Sequence, residues 1–575
     1  MLRLLTTLAL LLQLTTTYAA TYNFDEFIFP VENTVRLYSG SFGEMRTDHF
    51  HSGVDIKTDG VEGKRVVASN DGYVSRISLS PFGYGLAIYI AHPNGSTTLC
   101  GHLSKLREDI HEYMEKERYR TRQHSLNIYP DASKFPVKRG DLVAFSGNSG
   151  SSAGPHVHFE VRDGAQRPLN PVKLGIINPT DSIRPTILNI YYTETETIDG
   201  VCYTKGVNKY PVTHTSNGEY TLTERDKIWV GREGYLIFEV TDRRNGVTNT
   251  FGAYSISASI DDKPFYNFQH DGFSFAQTRY CNAISYYPYQ TSTRSEHYRL
   301  KRLEGVPREL IKYTDNNGVI TTQAGDERVV KITAVDDMEN SSTLSFKIKG
   351  KDDADCFKAE SASADKIIRP SKSSTFIEGD LRVSIPAGAI YEAVIFSSSV
   401  SDVDAEEFPS SIKIYSKNHT VMSGDTPLQS AIEVSISADI PQEEQPHVMM
   451  ILTSRSGRSS MIDAKYSDGK VSASTRTVGS LFVAVDDVAP SITPSFAEGD
   501  VLTNASRITF KVSDNYSGLN NYSATLDGEW IALDLSGSQL SHTFKNRADG
   551  EIHEVKITIT DRCENSTTVT RTFRR

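Results

Sequence analysis

From Tyr22 to Pro171 apolar and polar residues alternate in short runs punctuated by glycine. Gly72–Ile77, Leu86–Ile90, Asp141–Phe145 and His156–Val161 each read as a strand bounded by a turn. Ser104 to about Gln123 breaks that pattern. Leu106, Ile110, Tyr113 and Met114 fall at helical spacing amid dense charge, which predicts an amphipathic helix inserted between two strands.

Beyond residue 180, stretches rich in Tyr, Thr and Ser with alternating polarity predict strands almost throughout. Two regions echo each other. Val330–Thr343 matches Val555–Thr568 at most positions, and Phe238–Asp242 with Tyr254–Asp262 matches Phe510–Asp514 with Tyr522–Gly528. Pro185 and Pro490 open the two units, each four residues after an aspartate. Three matches in one order predict two copies of a β-sandwich module, the first with a large insertion. Between them, after the charged stretch 349–366, Leu381–Ile390 and further alternating runs predict a sandwich of a different kind. The fold class expected is therefore mainly β: an antiparallel β domain with a helical insertion, then about three β-sandwich (Ig-like) modules.

At 575 residues the chain exceeds what one core supports, and about one domain per ~150 residues predicts roughly four. The expected boundaries are 1–20 for a leader, 21–175 for the first domain with its insertion at about 104–136, then 181–350, 366–485 and 486–575. A net charge of −11 argues against a general nucleic-acid-binding role. Arg3, an apolar run from Leu4 to Leu14, and Ala19 and Ala20 read as a secretory signal peptide. Export to the periplasm, cell envelope or extracellular space is expected, with no transmembrane helix after signal removal, since no later segment approaches ~20 unbroken apolar residues. Cys100, Cys202, Cys281, Cys356 and Cys563 are too scattered for a disulfide framework or a CxxC knuckle, although Cys202 and Cys281 share a module and a pairing between them is left open.

Chemistry concentrates in three pieces of the first 160 residues: His51–Asp55, Cys100–Leu103 and Gly154–Glu160. In a strand, residues i and i+2 project from one face, so His156 and His158 point together while Val157 and Phe159 point away. Two imidazoles and a carboxylate suit Zn2+ with one tetrahedral position left open, the arrangement of a catalytic site. The histidines of the later modules are isolated and read as solvated side chains.

These pieces carry a resemblance. His51-x-Gly53-x-Asp55, Gly83-Tyr84-Gly85, Gly101-His102-Leu103 and the run Gly147–Glu160 with its His156-Val157-His158 resemble the LytM-type, M23 family of zinc metallopeptidases, peptidoglycan endopeptidases related to lysostaphin. The likeness covers about 35–171, and the run Gly40–His51 also resembles multidomain M23 proteins of Bacteroidetes-type bacteria. It implies one zinc ion held by His51, Asp55 and His158, catalytic histidines at His102 and His156, and a peptidoglycan peptide as substrate. Which of the two histidines is the base stays open. Cell-wall or glycan contact through the sandwich modules is a further expectation.

Four neighbours compete for roles. His49 would share a strand face with His51, but the motif favours the histidine followed by x-Gly-x-Asp. His92 reads as a turn or cleft-wall residue, Glu160 as a hydrogen-bond acceptor for a ligating imidazole or a surface carboxylate, and Arg46 as a substrate contact or loop brace. The chain departs from the family at Cys100, where an aromatic residue is common, and in the long insertion, which reads either as a wall of the substrate groove or as a packing appendage. Two other functional classes remain: a non-catalytic LytM-like activator of another wall hydrolase, although such relatives typically lack ligands or histidines that this chain keeps, and a surface adhesion or scaffold protein built on the sandwich array.

Overall fold

The computed structural model describes residues 22–290, 295–544 and 550–575; the expected signal peptide at 1–20 lies outside the described residues. The architecture is mostly β, an N-terminal β domain with a short helical insertion followed by sandwich-like sheets.

In the first domain the strands are β1 (Val54–Lys57), β2 (Arg65–Val67), β3 (Gly72–Leu79), β4 (Leu86–Ala91), β5 (Thr97–Leu106), β6 (Leu126–Ile128), β7 (Pro136–Val137), β8 (Leu142–Ser146), β9 (His156–Arg162) and β10 (Pro168–Leu169). The sheet runs β1-β9-β5-β4-β3-β6, with β8 bridging β5 to β2. Alternation along β9 decides which side carries chemistry: Val157, Phe159 and Val161 are wholly buried on the core face, leaving His156, His158 and Glu160 on the other. Antiparallel pairing of β1 with β9 sets Asp55 opposite His158. Gly53 makes that approach possible, since a Cβ there would lie 2.3 Å from the Phe159 carbonyl oxygen.

The insertion is helical over α1 (Glu108–Thr121), shorter than the expected 104–123 because β5 runs on through Leu106. Ile110, Met114 and Arg118, four residues apart, form its buried face. Acidic Glu108 and Asp109 in the first turn and basic Arg118 and Arg120 in the last complement the helix dipole, and Arg122 closes the helix in the left-handed region at φ 52°. The helix packs onto the far C-terminal module: Arg118 Nη2 donates to Asp534 Oδ1 at 2.8 Å, and the His124 ring lies 4.7 Å from Tyr522 and 5.0 Å from Trp530. No residue of 104–136 lines the cleft described below, although Gln123, Ser125, Leu126 and Asn127 line a neighbouring pocket that shares Gly83, Tyr84 and Phe275 with it.

Residues 186–350 form two linked sheets, one built on Thr186–Ile198 and Glu233–Thr241, the other on Glu327–Val335, Ser341–Gly350 and Ser255–Ile260. This module does not stand apart. Phe42 and Phe50 of the first domain meet Phe273 at 5.5 and 5.3 Å between ring centroids, and one apolar core runs through both units. The next module centres on Val383, Ile436, Met450 and Val483, and the last on Phe510, Leu540, Ile557 and Phe573 between a four- and a five-stranded sheet. All five cysteines are free thiols, so Cys202 and Cys281 do not pair. Among the described residues no helix is long and apolar enough to cross a membrane.

Candidate active site

Three side chains converge where β1 meets β9. His51 Nε2 lies 3.1 Å from Asp55 Oδ1 and 3.1 Å from His158 Nδ1, and His158 Nδ1 lies 2.9 Å from Asp55 Oδ1. Two nitrogens and one oxygen in a triangle of that size fit ligation at ~2.0–2.2 Å of one Zn2+, with a fourth position free.

Each ring is oriented from behind. The His51 Nδ1–H donates to the Ser41 carbonyl at 2.8 Å, which leaves Nε2 as the lone-pair nitrogen. For His158 the roles reverse: Nε2–H donates to Glu160 Oε1 at 2.9 Å, and Nδ1 faces the cluster. Glu160 is fully buried, and its Oε1 also accepts from Ser52 Oγ (2.7 Å) and Tyr84 Oη (2.6 Å), while Oε2 accepts from Arg162 Nε (2.7 Å). Burial alone would raise the Glu160 pKa, but His158 and Arg162 outweigh it and hold the carboxyl at about 2. Burial likewise opposes ionisation of Asp55, yet the three histidines around it bring its pKa well below the usual carboxylate range. The carboxylate form that a metal requires is thus the stable one.

His102 and His156 stand beside the cluster with ring centroids 4.6 Å apart. His102 Nδ1–H donates to the Ser149 carbonyl and His156 Nδ1–H to the Gly154 carbonyl, both at 2.8 Å, so each keeps Nε2 available. His156 Nε2 is 3.6 Å from Asp55 Oδ1. Burial lowers the His102 pKa to about 4, so this imidazole is neutral at neutral pH. Its backbone sits in the left-handed region, φ 59°, where the pairing of β5 with β4 is irregular between Cys100 and Leu103.

Of the other candidates, His49 and Arg46 also line the cleft, and His92 and Cys100 do not. His49 is exposed and pairs with Asp48. His92 is buried, bonded to the Asp71 carbonyl and Thr98 Oγ1. Cys100 is a buried thiol pushed up to about 12 by burial. Arg46 Nη2 reaches Asp55 Oδ2 at 3.3 Å, bracing the carboxylate oxygen turned away from the triangle.

The cluster opens on a cleft of about 1240 Å³. One wall comes from the neighbouring module: Asn249, Phe275 and Thr278 line it, and Thr278 Oγ1 accepts from the Phe50 amide at 2.9 Å. Sequence reasoning missed these wall residues, which carry no local signal, and missed Ser52 and Arg162; Tyr84 stands in the Gly83-Tyr84-Gly85 motif, which assigned it no role. Arg162 was accessible through strand alternation, standing two residues beyond Glu160 on the same face.

Comparison with known proteins agrees with the geometry. Residues 49–119 match the family model "Peptidase family M23", and 365–486 match "Zu5-like domain". The chain is 30% identical over 135 residues to the DD-carboxypeptidase/endopeptidase Mpg of Neisseria meningitidis, covering 24% of this chain and 25% of that one. An uncharacterized metalloprotease of Haemophilus influenzae is 29% identical over 126 residues, 22% of this chain and 21% of that protein. The chain thus spans about a quarter of the length of the curated relatives it matches. Among solved structures, a zinc containing peptidase from Vibrio cholerae is 26% identical, covering 26% of this chain and 38% of that one, at a TM-score of 0.19. The matched M23 segment holds His51, Asp55 and His102, the fold adds the His156–His158 strand, and the N-terminal part of the chain is an M23/LytM-like zinc-peptidase domain with a His-Asp-His metal-binding triad.

Proposed function

We propose that this protein is an exported zinc metalloendopeptidase that hydrolyses amide bonds in peptidoglycan peptides. The observation that carries the reading is the meeting of the His51, Asp55 and His158 ligand atoms with two further oriented imidazoles in one open cleft. When bound, zinc supplies Lewis-acid chemistry, lowering the pKa of water to ~7 and polarising a carbonyl. The chain's own residues do the rest. His102, neutral and with Nε2 free, accepts a proton during attack on the scissile carbonyl and returns it from Nε2 to the leaving amine, while His156 across from it, in its cationic form, donates from Nε2 to the developing negative charge. Kinship to a DD-carboxypeptidase/endopeptidase supports a wall-peptide substrate, and the basic-apolar-small pattern of residues 1–20 supports export. The two repeats, at 181–350 and 486–575, are read as Ig-like sandwiches.

Incubation of purified full-length protein with sacculi tests the reading, alongside a His51→Ala variant and chelator-treated protein. New amino and carboxyl termini should appear only with the untreated wild type. Zinc-loaded protein that releases none would leave the non-catalytic activator as the better account.

A further inference from the structure

The two sandwich repeats share an acidic feature as well as strands. Each opens on an aspartate, Asp181 or Asp486, and brings two more against it: Asp242 and Asp336 in the first copy, Asp514 and Asp561 in the second. In both copies one carboxylate oxygen from each residue lies within 4.8 Å of the others. The bonds that hold them recur at two of the three positions; at the third, Asp514 Oδ2 accepts from the Tyr516 and Gly518 amides and from Ser517 Oγ, whereas neither Asp242 oxygen accepts a hydrogen bond of normal geometry. Asp336 accepts from the amides of Met338 and Asn340 and from Asn340 Nδ2; Asp561 accepts from the amides of Cys563 and Asn565 and from Asn565 Nδ2. Asp181 accepts from the Ile183 and Asn245 amides, and Asp486 from those of Val488 and Ser517, the equivalent places.

What the clusters lack is enough positive charge to match their carboxylates. Asp242 is wholly buried, and neither of its carboxylate oxygens has a hydrogen-bond partner of normal geometry; the buried Asp181 Oδ2 has none either. Arg244 faces the first cluster from 3.8 Å at both Asp181 and Asp242, but its close contact, 2.7 Å, is to Asp337. Four carboxylates therefore surround one guanidinium. In the second copy Tyr516 stands where Arg244 does in the first. Among the described residues no ion pair involves Asp486, Asp514 or Asp561, and Asp514 Oδ1 is buried without a partner. Uncompensated buried carboxylates are costly, and a hard divalent cation with oxygen ligands removes that cost.

We propose that each three-aspartate cluster binds one divalent, oxygen-seeking cation of the Ca2+ class, through Asp181, Asp242 and Asp336 in one repeat and Asp486, Asp514 and Asp561 in the other. The donor set is all oxygen, which disfavours zinc. Both sites sit at junctions. Asp181 lies in the segment leading from the peptidase domain, whose Tyr38 donates to Asp337 at 2.9 Å, and Asp486 follows the last strand of the preceding module, whose Ser411 bonds Asn515 Nδ2 at 3.2 Å. A cation there ties an incoming linker to two loops of the module it enters.

The test uses the full-length chain, stripped of metal, reloaded with one equivalent of zinc and titrated with CaCl2 up to about 5 mM, above the ~0.1–1 mM dissociation constants of extracellular calcium modules. Calorimetry should give two equivalents with a rise in Tm. Asp242→Asn should lose one equivalent and Asp514→Asn the other. Without calcium, Asp242→Asn should be at least as stable as wild type, because neither Asp242 oxygen accepts a hydrogen bond of normal geometry; a merely structural aspartate would lower Tm instead. Absence of heat and of any Tm shift overturns the proposal, as do variants that bind like wild type. One equivalent lost only in Asp514→Asn overturns the first site and leaves Arg244 as its sufficient counter-charge.

Discussion

Glu160 Oε1 lies 2.9 Å from His158 Nε2, on the side of the imidazole opposite the ligand triangle. That bond selects the His158 tautomer, and Tyr84, Ser52 and Arg162 hold the carboxylate in place from three directions. Glu160→Gln removes the charge and mismatches Arg162. We expect zinc affinity to drop by about 10–100-fold with the fold retained, measured by competition against a chromophoric chelator. Unchanged affinity would show that Glu160 serves packing alone.

His102→Ala and His156→Ala should each keep stoichiometric zinc while losing about 10²–10⁴-fold in kcat. His51→Ala and Asp55→Ala should lose the metal itself. Metal analysis beside turnover separates the two groups, and loss of zinc in His102→Ala would move that residue among the ligands.

Gly53→Ala places a Cβ 2.3 Å from the Phe159 carbonyl oxygen, so β1 must shift away from β9. Overpacking of this kind costs about 1–3 kcal/mol. Because Asp55 faces His158 across the same pair of strands, lower Tm and weaker zinc binding should appear together.

His270 is buried between the peptidase domain and the next module, 5.2 Å from Phe50 and 4.6 Å from Phe268, and burial lowers its pKa to about 3 despite the adjacent Asp271. Below ~6.5 the unfolded chain takes up a proton that the folded chain refuses, so stability falls as pH drops from about 6.5 toward 3. At pH 5 the difference is about 2 kcal/mol. His270→Leu should flatten the acid limb of a denaturation series; an identical slope in wild type and variant would refute this assignment.

Trp530→Ala removes the ring against which Tyr119 and His124 pack. Limited proteolysis should then cut within 104–136 sooner than in wild type, with kcat on a short peptide unchanged, since this segment does not line the cleft.

Much of the first domain is legible in the chain because its signals are local. Strand alternation put His156 and His158 on one face, and glycine punctuation marked the turns around them. The helix was legible through Ile110 and Met114, but its start was misplaced because Ser104–Leu106 continue β5 by pairing with β8, a long-range contact. The wall formed by Asn249, Phe275 and Thr278 left no trace in sequence, since nothing in those residues announces which surface they meet. The repeat was visible as matched strings, yet the meeting of Asp181 with Asp242 and Asp336 depends on loops brought together only by the sandwich.

The continuous apolar core between the first two units means that the peptidase is not a detachable cartridge. Cutting the chain after Pro171 would leave Phe42 and Phe50 facing water where Phe273 and His270 now cover them, and would strip one lip from the cleft. If the chain acts as proposed, substrate choice can therefore drift through changes at positions such as Phe275, more than a hundred residues downstream of His158, while the proposed ligands and proton-handling histidines stay the same.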